Sequence, residues 1–336
     1  MIAPEDMAAC RAMIRTGSLS FHAASRLLPA RVRDPALALY AFCRVADDDV
    51  DETRDKAAAV LQLRDRLELI YQGRPRNYAP DRAFAAVIEA FDMPRALPEA
   101  LLEGLAWDAV GRRYANLSDL HAYSARVAGS VGAMMCVLMR VRDADALARA
   151  CDLGLAMQLT NIARDVGEDA REGRLFLPLD WMQAGGIDPE EFLADPRPSP
   201  AVAAMTAALL QEADRLYRRA SAGIACLPRD CRPGISAARH IYAAIGTQLA
   251  RLDHDSVTHR ARTNGRQKAL LMLRALSASA ATLVLPHAPV LHARPAPEVA
   301  FLVDAASRAP VGQRRSDTLL AILAQLEAND RQRASG

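Results

Sequence analysis

Two acidic clusters that lie far apart in the chain each repeat at the spacing of an α-helix. The first contains Asp47, Asp48 and Asp51, and the second contains Asp165 and Asp169. Side chains four residues apart lie on one face of a helix, about 6 Å apart along its axis. Like charges at this spacing repel each other and destabilise an isolated helix. Carboxylates that remain together on a partly buried face therefore require a compensating cation.

Apolar neighbours predict that one side of each acidic helix faces the protein interior. The run Leu37-Ala-Leu-Tyr-Ala-Phe42 precedes the first cluster, and Leu159, Ile162 and Val166 are interleaved with the second. Paired oxygen ligands suit Mg²⁺, which commonly binds one or two carboxylates, water and substrate phosphates. Two such clusters facing each other would hold several metal ions around a diphosphate. A solvated helix face with internal ion pairs is the alternative for either cluster taken alone.

Further polar side chains extend the second cluster along its helix. Asn161 lies four residues before Asp165, and Gln158 lies almost one turn earlier. Arg164 precedes the second cluster as Arg44 precedes the first, and a guanidinium group can neutralise carboxylates or bind diphosphate oxygens. Amide and carboxylate oxygens on one face suit a hard cation. We predict metal ligands at Asp47, Asp48, Asp51, Asn161, Asp165 and Asp169.

Composition limits the other function classes. The 42 basic and 40 acidic residues give a formal net charge of +2, which does not indicate a nucleic acid as partner. The six cysteines form no CxxC pair and the histidines no His-x-x-x-His pair, so we expect free thiols rather than a zinc site or disulfides. No Gly-x-Gly-x-x-Gly motif follows a predicted strand. Without a signal peptide or a spanning segment, a cytoplasmic protein is expected.

Helical patterning covers most of the chain and predicts an all-α fold. Ala, Leu and Arg dominate, and β-branched runs are short. Continuous helices are predicted at about 117–140 and 143–166, and Glu168 to Pro200 is predicted to be a loop region.

The C-terminal part of the sequence has a different composition. Pro286 to Pro297 is proline-rich and predicts a linker or loop, and an amphipathic helix is predicted at about 315–329. We therefore expect one catalytic all-α domain at 1–285, followed by a segment at 286–336 that ends in a mobile tail.

These motifs together resemble those of the squalene/phytoene synthase family, most closely its bacterial phytoene synthases. The likeness extends from about Thr16 to Arg274 and follows the family's motif order. The matching segments are Ser18-Leu-Ser-Phe21, Asp47-Asp-Asp-Val-Asp51, Tyr123 with Arg126-Val-Ala-Gly-Ser-Val-Gly132, Gln158-Leu-Thr-Asn-Ile-Ala-Arg-Asp-Val-Gly-Glu-Asp169, and Gly173-Arg-Leu-Phe-Leu-Pro178.

The resemblance implies an isoprenoid-synthase helical bundle around a central cavity. It implies head-to-head condensation of two geranylgeranyl diphosphates to 15-cis-phytoene through a cyclopropyl diphosphate, with release of diphosphate, in carotenoid biosynthesis. The implied cofactor is Mg²⁺, with Mn²⁺ as an alternative, and no NADPH is expected. Carbocations need a dry pocket. Small apolar residues that could line it are Ala128, Gly129, Val131, Gly132, Ala133 and Met157.

The resemblance also assigns roles to individual residues. It implies catalytic roles for Asp47, Asp51, Asp165, Asp169 and Tyr123. It implies diphosphate binding by Ser18, Ser20, Arg44, Arg164, Arg174, Gln158, Tyr242 and Arg260. Three residues depart from the family pattern and bear on chain-length preference and the deprotonation step, namely His22, Ala125 and Phe176.

Partners and alternatives follow from the same chemistry. The substrate and product are so hydrophobic that we expect contact with the inner membrane face, and association with other carotenoid enzymes. A squalene or dehydrosqualene synthase acting on farnesyl diphosphate is the nearest alternative. A non-catalytic helical subunit of a prenyltransferase is the alternative from another class, although such a protein does not need both carboxylate clusters.

Overall fold

The chain folds into α-helices, which confirms the predicted all-α class. The computed structural model describes residues 2–17, 23–52, 56–284 and 288–308, except the side chains at 15–17, 47–52 and 56–57. None of the residues so described forms a β-strand. The helices are α1 (Pro4–Gly17), α2 (Ala30–Glu52), α3 (Lys56–Tyr71), α4 (Ala79–Phe91), α5 (Ala96–Ala109), α6 (Leu117–Ser124), α7 (Ser130–Leu138), α8 (Ala144–Arg171), α9 (Leu179–Ala184), α10 (Pro189–Ala194), α11 (Pro200–Ile224), α12 (Arg232–Ala250), α13 (Gly265–Ala281) and α14 (Ala300–Ser307).

Side-chain caps fix the starts of three helices around the site. The Asp143 carboxylate accepts a hydrogen bond from the third backbone amide of α8, and Ser199 caps α11 in the same way before Pro200. Helix α13 begins with a capping box, in which Asn264 and Gln267 exchange side-chain and backbone hydrogen bonds. These caps satisfy backbone amides that the helix itself leaves unpaired.

Helix α8 is the central element of the fold. Helices α7, α11, α12 and α14 all pack against it. Two glycines permit the closest approaches: a Cβ atom on Gly154 would lie 2.3 Å from the carbonyl oxygen of Ala128, and one on Gly132 would lie 2.3 Å from that of Ala150. A side chain at either glycine would therefore push the neighbouring backbone away.

The predicted continuous helix at 117–140 is interrupted. Residues Ala125–Gly129 form a π-helical turn between α6 and α7. A π-turn adds one residue to the helical ring and is difficult to infer from side-chain periodicity. It coincides with the Tyr123 motif singled out in the sequence.

The predicted loop region at 168–200 contains more helix than expected. Helix α8 continues to Arg171, and two short helices, α9 and α10, follow. Each short helix buries one large apolar side chain, Met182 in α9 and Phe192 in α10. Tertiary burial, rather than local propensity, stabilises helices as short as these.

The proline-rich C-terminal segment packs on the body of the protein. Buried Arg149 donates a hydrogen bond to the carbonyl oxygen of Val290 at 2.6 Å, and Arg219 donates to that of Arg294 at 2.9 Å. Val299 and α14 then pack against α8 and the neighbouring helices. The segment is irregular, as predicted for a loop, but it is anchored by buried groups.

Two further predictions concern the C-terminus and the membrane. The predicted helix at 315–329 lies outside the described residues. Among the helices that the structure describes, none combines the length and the apolar character needed to cross a bilayer.

Candidate active site

A largely apolar cavity of about 280 Å³ lies between α2, α7, α8, α11 and α12. The polar lining side chains are few, and they include Gln158, Asn161 and Tyr242. The residues that line it are Ala24, Ser25, Leu28, Ala36, Leu39, Tyr40, Cys43, Val127, Ala128, Val131, Gly132, Met135, Cys136, Met139, Ala146, Arg149, Ala150, Leu153, Gly154, Met157, Gln158, Asn161, Ala220, Gly223, Ile224, Leu227, Gly234, Ile235, Ala238 and Tyr242.

The face of α8 that lines the cavity continues into the second acidic cluster. Its lining residues run from Ala146 to Asn161, a distance of about 22 Å along the helix. Asp165 and Asp169 follow Asn161 at successive steps of four residues, so they lie farther along the same face. The apolar wall therefore ends at a pair of carboxylates.

Helix α2 contributes a second stripe to the same cavity. Its lining residues include Tyr40 and Cys43, and Asp47 follows Cys43 by four residues. The backbone of α2 therefore continues past the cavity lining to the positions of the first acidic cluster. The side chains of Asp47, Asp48 and Asp51 lie outside the described ones.

A contact with α12 locates the start of α2. Leu28, two residues before α2, packs against Gly234 near the start of α12. Tyr242, about two turns farther along α12, is close enough to Arg164 to interact with it electrostatically. Helix α12 thus runs from the end of the cavity at which Leu28 lies toward the end at which Arg164 lies, and α2 begins near the first of these ends.

Two arginines hold Asp165. Arg164 binds it through Nε at 2.8 Å and through a second nitrogen, and Arg260 binds it through Nε at 2.8 Å. Arg260 also contacts Glu168 at 2.8 Å. Burial lowers the pKa of Arg164, but the hydrogen bond and charge of Asp165 outweigh burial, so that pKa lies above its ordinary value. A guanidinium group so placed stays charged.

Asp169 is the most buried acid of this cluster. Burial raises its pKa to about 6, against the opposing effect of the Arg174 guanidinium. Arg174 donates two hydrogen bonds to one carboxylate oxygen of Asp169, at 2.9 and 3.2 Å. A carboxylate in this setting gains from a nearby cation, because added positive charge offsets the lost solvation.

The donor chemistry of this end of the cavity fits a hard divalent cation. Carboxylate oxygens of Asp165 and Asp169 and the amide oxygen of Asn161 share one face, and oxygen ligands are those that Mg²⁺ prefers. Among the described side chains, no group of three acidic, histidine or cysteine residues is drawn together as a metal site. Ion pairs with Arg164, Arg174 and Arg260 partly compensate this carboxylate cluster, and burial nevertheless keeps the pKa of Asp169 above its ordinary value.

Tyr123 lies outside the cavity lining, in an aromatic cluster. Its ring centroid lies 5.2 Å from that of Tyr114 and 5.3 Å from that of Phe176. Its hydroxyl donates a hydrogen bond to Oδ2 of Asp108 at 2.8 Å. Phe176, two residues after Arg174, links this cluster to the acidic end of α8.

The structure brings most of the predicted site residues together. Gln158, Asn161 and Tyr242 line the cavity, and Arg164, Arg174 and Arg260 bind the acids of α8. Arg44 is exposed on α2. Ser18 and Ser20 lie outside the described residues.

One residue of the site was not predicted from the sequence, and two predicted residues lie outside the cavity wall. Glu168 binds Arg260, and its position three residues after Asp165 could have indicated this. Of the small residues expected in the cavity wall, Gly129 and Ala133 do not line it. Gly129 instead faces Leu155 and Leu302.

Comparisons with known proteins agree with this geometry. The family model described as squalene/phytoene synthase matches residues 14–269. A phytoene synthase of Rhodobacter capsulatus is 65% identical over 334 residues, 98% of each chain, and a 15-cis-phytoene synthase of a Paracoccus species is 41% identical over 76% of this chain and 86% of its own.

The solved structures also include a similar protein. A dehydrosqualene synthase with bound ligand superposes with a TM-score of 0.75 at 32% identity, covering 81% of this chain and 96% of that one. This likeness confirms the predicted isoprenoid-synthase helical fold. Since the family match spans most of the chain and the Rhodobacter relative nearly all of it, this protein belongs to the squalene/phytoene synthase family.

Proposed function

We propose that this protein condenses two molecules of geranylgeranyl diphosphate head to head into 15-cis-phytoene, as a prenyltransferase of carotenoid biosynthesis. The relatives named phytoene synthase support this function. The first ionisation and attack give a cyclopropyl diphosphate, and the second ionisation and rearrangement give the hydrocarbon. Each of the two stages releases one diphosphate and one proton, so the atoms balance.

One observation carries this proposal above the others. A single face of α8 lines the cavity with apolar side chains from Ala146 to Met157, apart from Arg149, and then presents Asn161, Asp165 and Asp169. An allylic diphosphate has the same division, with an apolar tail joined to an anionic head. The tail can lie against the apolar wall while the head lies at the charged end.

The residues of the charged end would act by position and electrostatics. Arg164, Arg174 and Arg260 bind carboxylates in the structure, and their guanidinium groups can equally donate to diphosphate oxygens. We propose that they help to hold the departing diphosphate, because charge that develops on a leaving group is stabilised by donors already in place. Gln158 and Tyr242 would contact the substrate at the same end of the cavity.

The acidic residues would hold the cofactor. We propose Asp165, Asp169 and Asn161 on α8, with the first cluster on α2, as its ligands. Mg²⁺ or Mn²⁺ bound there would supply Lewis-acid stabilisation of the leaving diphosphate.

The apolar lining would protect the cationic intermediates. Water would quench an allylic cation, and a wall of alanine, leucine, methionine and glycine excludes it. We propose that Tyr123 acts indirectly, since its hydroxyl is bound to Asp108 and its ring contacts Phe176 beside Arg174.

The hydrophobic product suggests where the reaction takes place. We propose a cytoplasmic protein that works at the inner membrane face and passes its product to other carotenoid enzymes. The apolar cavity and the absence of a spanning helix among the described residues are compatible with this location.

The structural similarity to a dehydrosqualene synthase favours a second candidate, condensation of farnesyl diphosphate. The two functions share the same charged end and differ in the length of the substrate tail. A non-catalytic subunit is disfavoured because such a protein would have no need for the arginine-compensated carboxylates.

The deciding experiment supplies each diphosphate separately to the purified protein. Geranylgeranyl diphosphate with Mg²⁺ should yield a C40 hydrocarbon by mass spectrometry, and the chelator EDTA should suppress it. A faster reaction with farnesyl diphosphate would support the second candidate. No product from either substrate, with Mg²⁺ or Mn²⁺, would support the non-catalytic alternative.

A further inference from the structure

Helix α13 has an exposed apolar face. Leu270 is 67% exposed and Leu273 is 62% exposed, and Leu276 is exposed beside them. These leucines step by three residues, so they share one side of the helix. The opposite side, around Ala275 and Ser279, is buried against the body of the protein. Exposed leucines clustered on one side of a helix indicate an interaction site.

The charged residues in α13 and next to it along the sequence are all basic. No Asp or Glu occurs between Asp255 and Glu298, whereas Arg262, Arg266 and Arg274 lie in or before α13. All three arginines are exposed. An apolar helix face bordered by basic side chains complements a bilayer that carries anionic lipids.

The same charges disfavour other occupants. A second copy of this chain would bring a second basic face against the first, and like charges repel. Residues 309–336 carry four arginines and three acidic residues, so this segment does not supply the excess of negative charge that the face would select.

The position of α13 relates the face to the cavity. Ala275 packs in a small cluster with Ala24 and Ala237, and Ala238 packs against that cluster. Ala24 and Ala238 also line the cavity. Alanines of this cluster therefore contact both the cavity and the helix that carries the exposed leucines, with Leu27 and Met272 packed beside them.

We propose that the leucine face of α13 docks this protein on an anionic lipid surface, with the alanine wall of the cavity turned toward the bilayer. This proposal rests on the proposed function, because a hydrophobic hydrocarbon product has to be delivered into a membrane. The leucines enter the interfacial region, and the arginines contact lipid phosphates.

The test is flotation of the full chain with vesicles, in the absence of substrate. Vesicles of phosphatidylcholine with one quarter phosphatidylglycerol should bind the protein, and pure phosphatidylcholine should bind it more weakly. Raised salt should weaken the binding to the anionic vesicles, because it screens the charges. Failure to bind the anionic vesicles at low salt would overturn the proposal.

Paired variants distinguish binding through this face from nonspecific binding through other exposed apolar side chains. Leu270→Gln with Leu273→Gln should weaken binding by about tenfold for each leucine. Leu61→Gln with Val110→Gln removes two apolar side chains of similar exposure elsewhere and should leave binding unchanged. Equal effects of the two pairs would overturn the proposal.

A second pair tests the charge. Arg266→Gln with Arg274→Gln should weaken binding to anionic vesicles by about fivefold for each charge removed. Arg76→Gln with Arg229→Gln, at exposed positions outside this face, is the matched control. Equal losses in both pairs would show that net charge, and not the α13 face, drives the binding.

A label on the face distinguishes a membrane from a protein occupant. An environment-sensitive fluorophore on Leu273→Cys should report water in the free protein and an apolar environment after vesicles are added. The same label on Leu61→Cys should not change. An apolar signal at position 273 without vesicles would show that protein covers the face, and would overturn the proposal.

Activity in detergent keeps the two proposals apart. The α13 variants should condense geranylgeranyl diphosphate in detergent at the rate of the unmodified protein, because none of the altered residues lies in the site. If the unmodified protein binds vesicles but forms no condensation product, the proposed function is refuted and the membrane-docking proposal is not.

Discussion

Nε of Arg149 lies 2.8 Å from Oδ2 of Asp152, and neither side chain reaches solvent. Arg219 contacts the same carboxylate oxygen at 3.0 Å. Both arginines also donate to backbone carbonyl groups of the C-terminal segment. The two arginines thus join α8 and α11 to a segment that lies 141 residues from Arg149 and 75 residues from Arg219 in sequence.

Replacing Arg149 should destabilise the protein severely. Arg149→Met leaves Asp152 with one buried partner and leaves the carbonyl of Val290 without its donor. We expect a loss of about 3–5 kcal/mol in the free energy of unfolding, measured by urea denaturation. Arg197→Met, which removes a fully exposed ion pair with Asp195, should cause no measurable change. If the Arg149→Met protein is as stable as the unmodified one, the buried contacts of Arg149 with Asp152 and Val290 do not stabilise the fold.

Gly154→Ala should also destabilise the fold. The added methyl group would lie 2.3 Å from the carbonyl oxygen of Ala128, which is backbone and cannot move aside cheaply. We expect a loss of about 1–3 kcal/mol, seen as a lower thermal midpoint. Gly265→Ala is the control, because an added methyl group there meets no atom within 4 Å. Equal midpoints for the two variants would show that α8 can shift freely.

Asp165→Asn should remove activity without unfolding the protein. We expect the condensation rate to fall by roughly 10²–10³-fold, a loss typical of removing one electrostatic group from an active site. Circular dichroism should show unchanged helicity, because the amide oxygen of asparagine can still accept hydrogen bonds from Arg164 and Arg260. Asp195→Asn, a surface replacement, should retain full activity. Full activity of Asp165→Asn would exclude this residue from the diphosphate site.

His240 should make stability depend on pH. Burial, with the nearby charges of Arg239 and Arg274, lowers the pKa of His240 to about 4. The unfolded chain, with a pKa near the ordinary 6.5, therefore binds a proton more readily than the folded one. The resulting stability is fully present above about pH 6.5 and is lost as the pH falls toward 4.

The measurement compares unfolding at pH 7.5 and pH 5. Partial exposure of His240 reduces its effect, so we expect it to contribute about 1–2 kcal/mol to the difference. His240→Gln and His240→Asn cannot titrate and should both flatten the pH dependence by that amount. An unchanged slope in both variants would show that the stability change arises elsewhere.

The four-residue spacing of polar side chains along a helix was the feature of the site that the sequence predicted most directly. The four-residue steps through Asn161, Asp165 and Asp169 depend only on the local geometry of α8, in which Asn161 lines the cavity and the two aspartates follow it along the helix. The caps at Asp143 and Ser199 are local in the same sense. Such features need no knowledge of distant contacts.

The remaining features depend on tertiary contacts. Arg260 reaches Asp165 across 95 residues of sequence, and no local pattern gives that pairing. The raised pKa of Asp169 results from burial by other helices. The π-turn at Ala125–Gly129 joins two α-helices without a proline or a loop between them, and the sequence pattern predicted one continuous helix there.

The anchored C-terminal segment has a practical consequence for protein engineering. The family match ends at residue 269, and a chimera would naturally be cut there. Such a cut would divide α13 and would also discard the carbonyl groups that receive the Arg149 and Arg219 hydrogen bonds. A donor fragment taken from this chain should therefore extend through Ser307, and hybrids joined earlier should express as insoluble material.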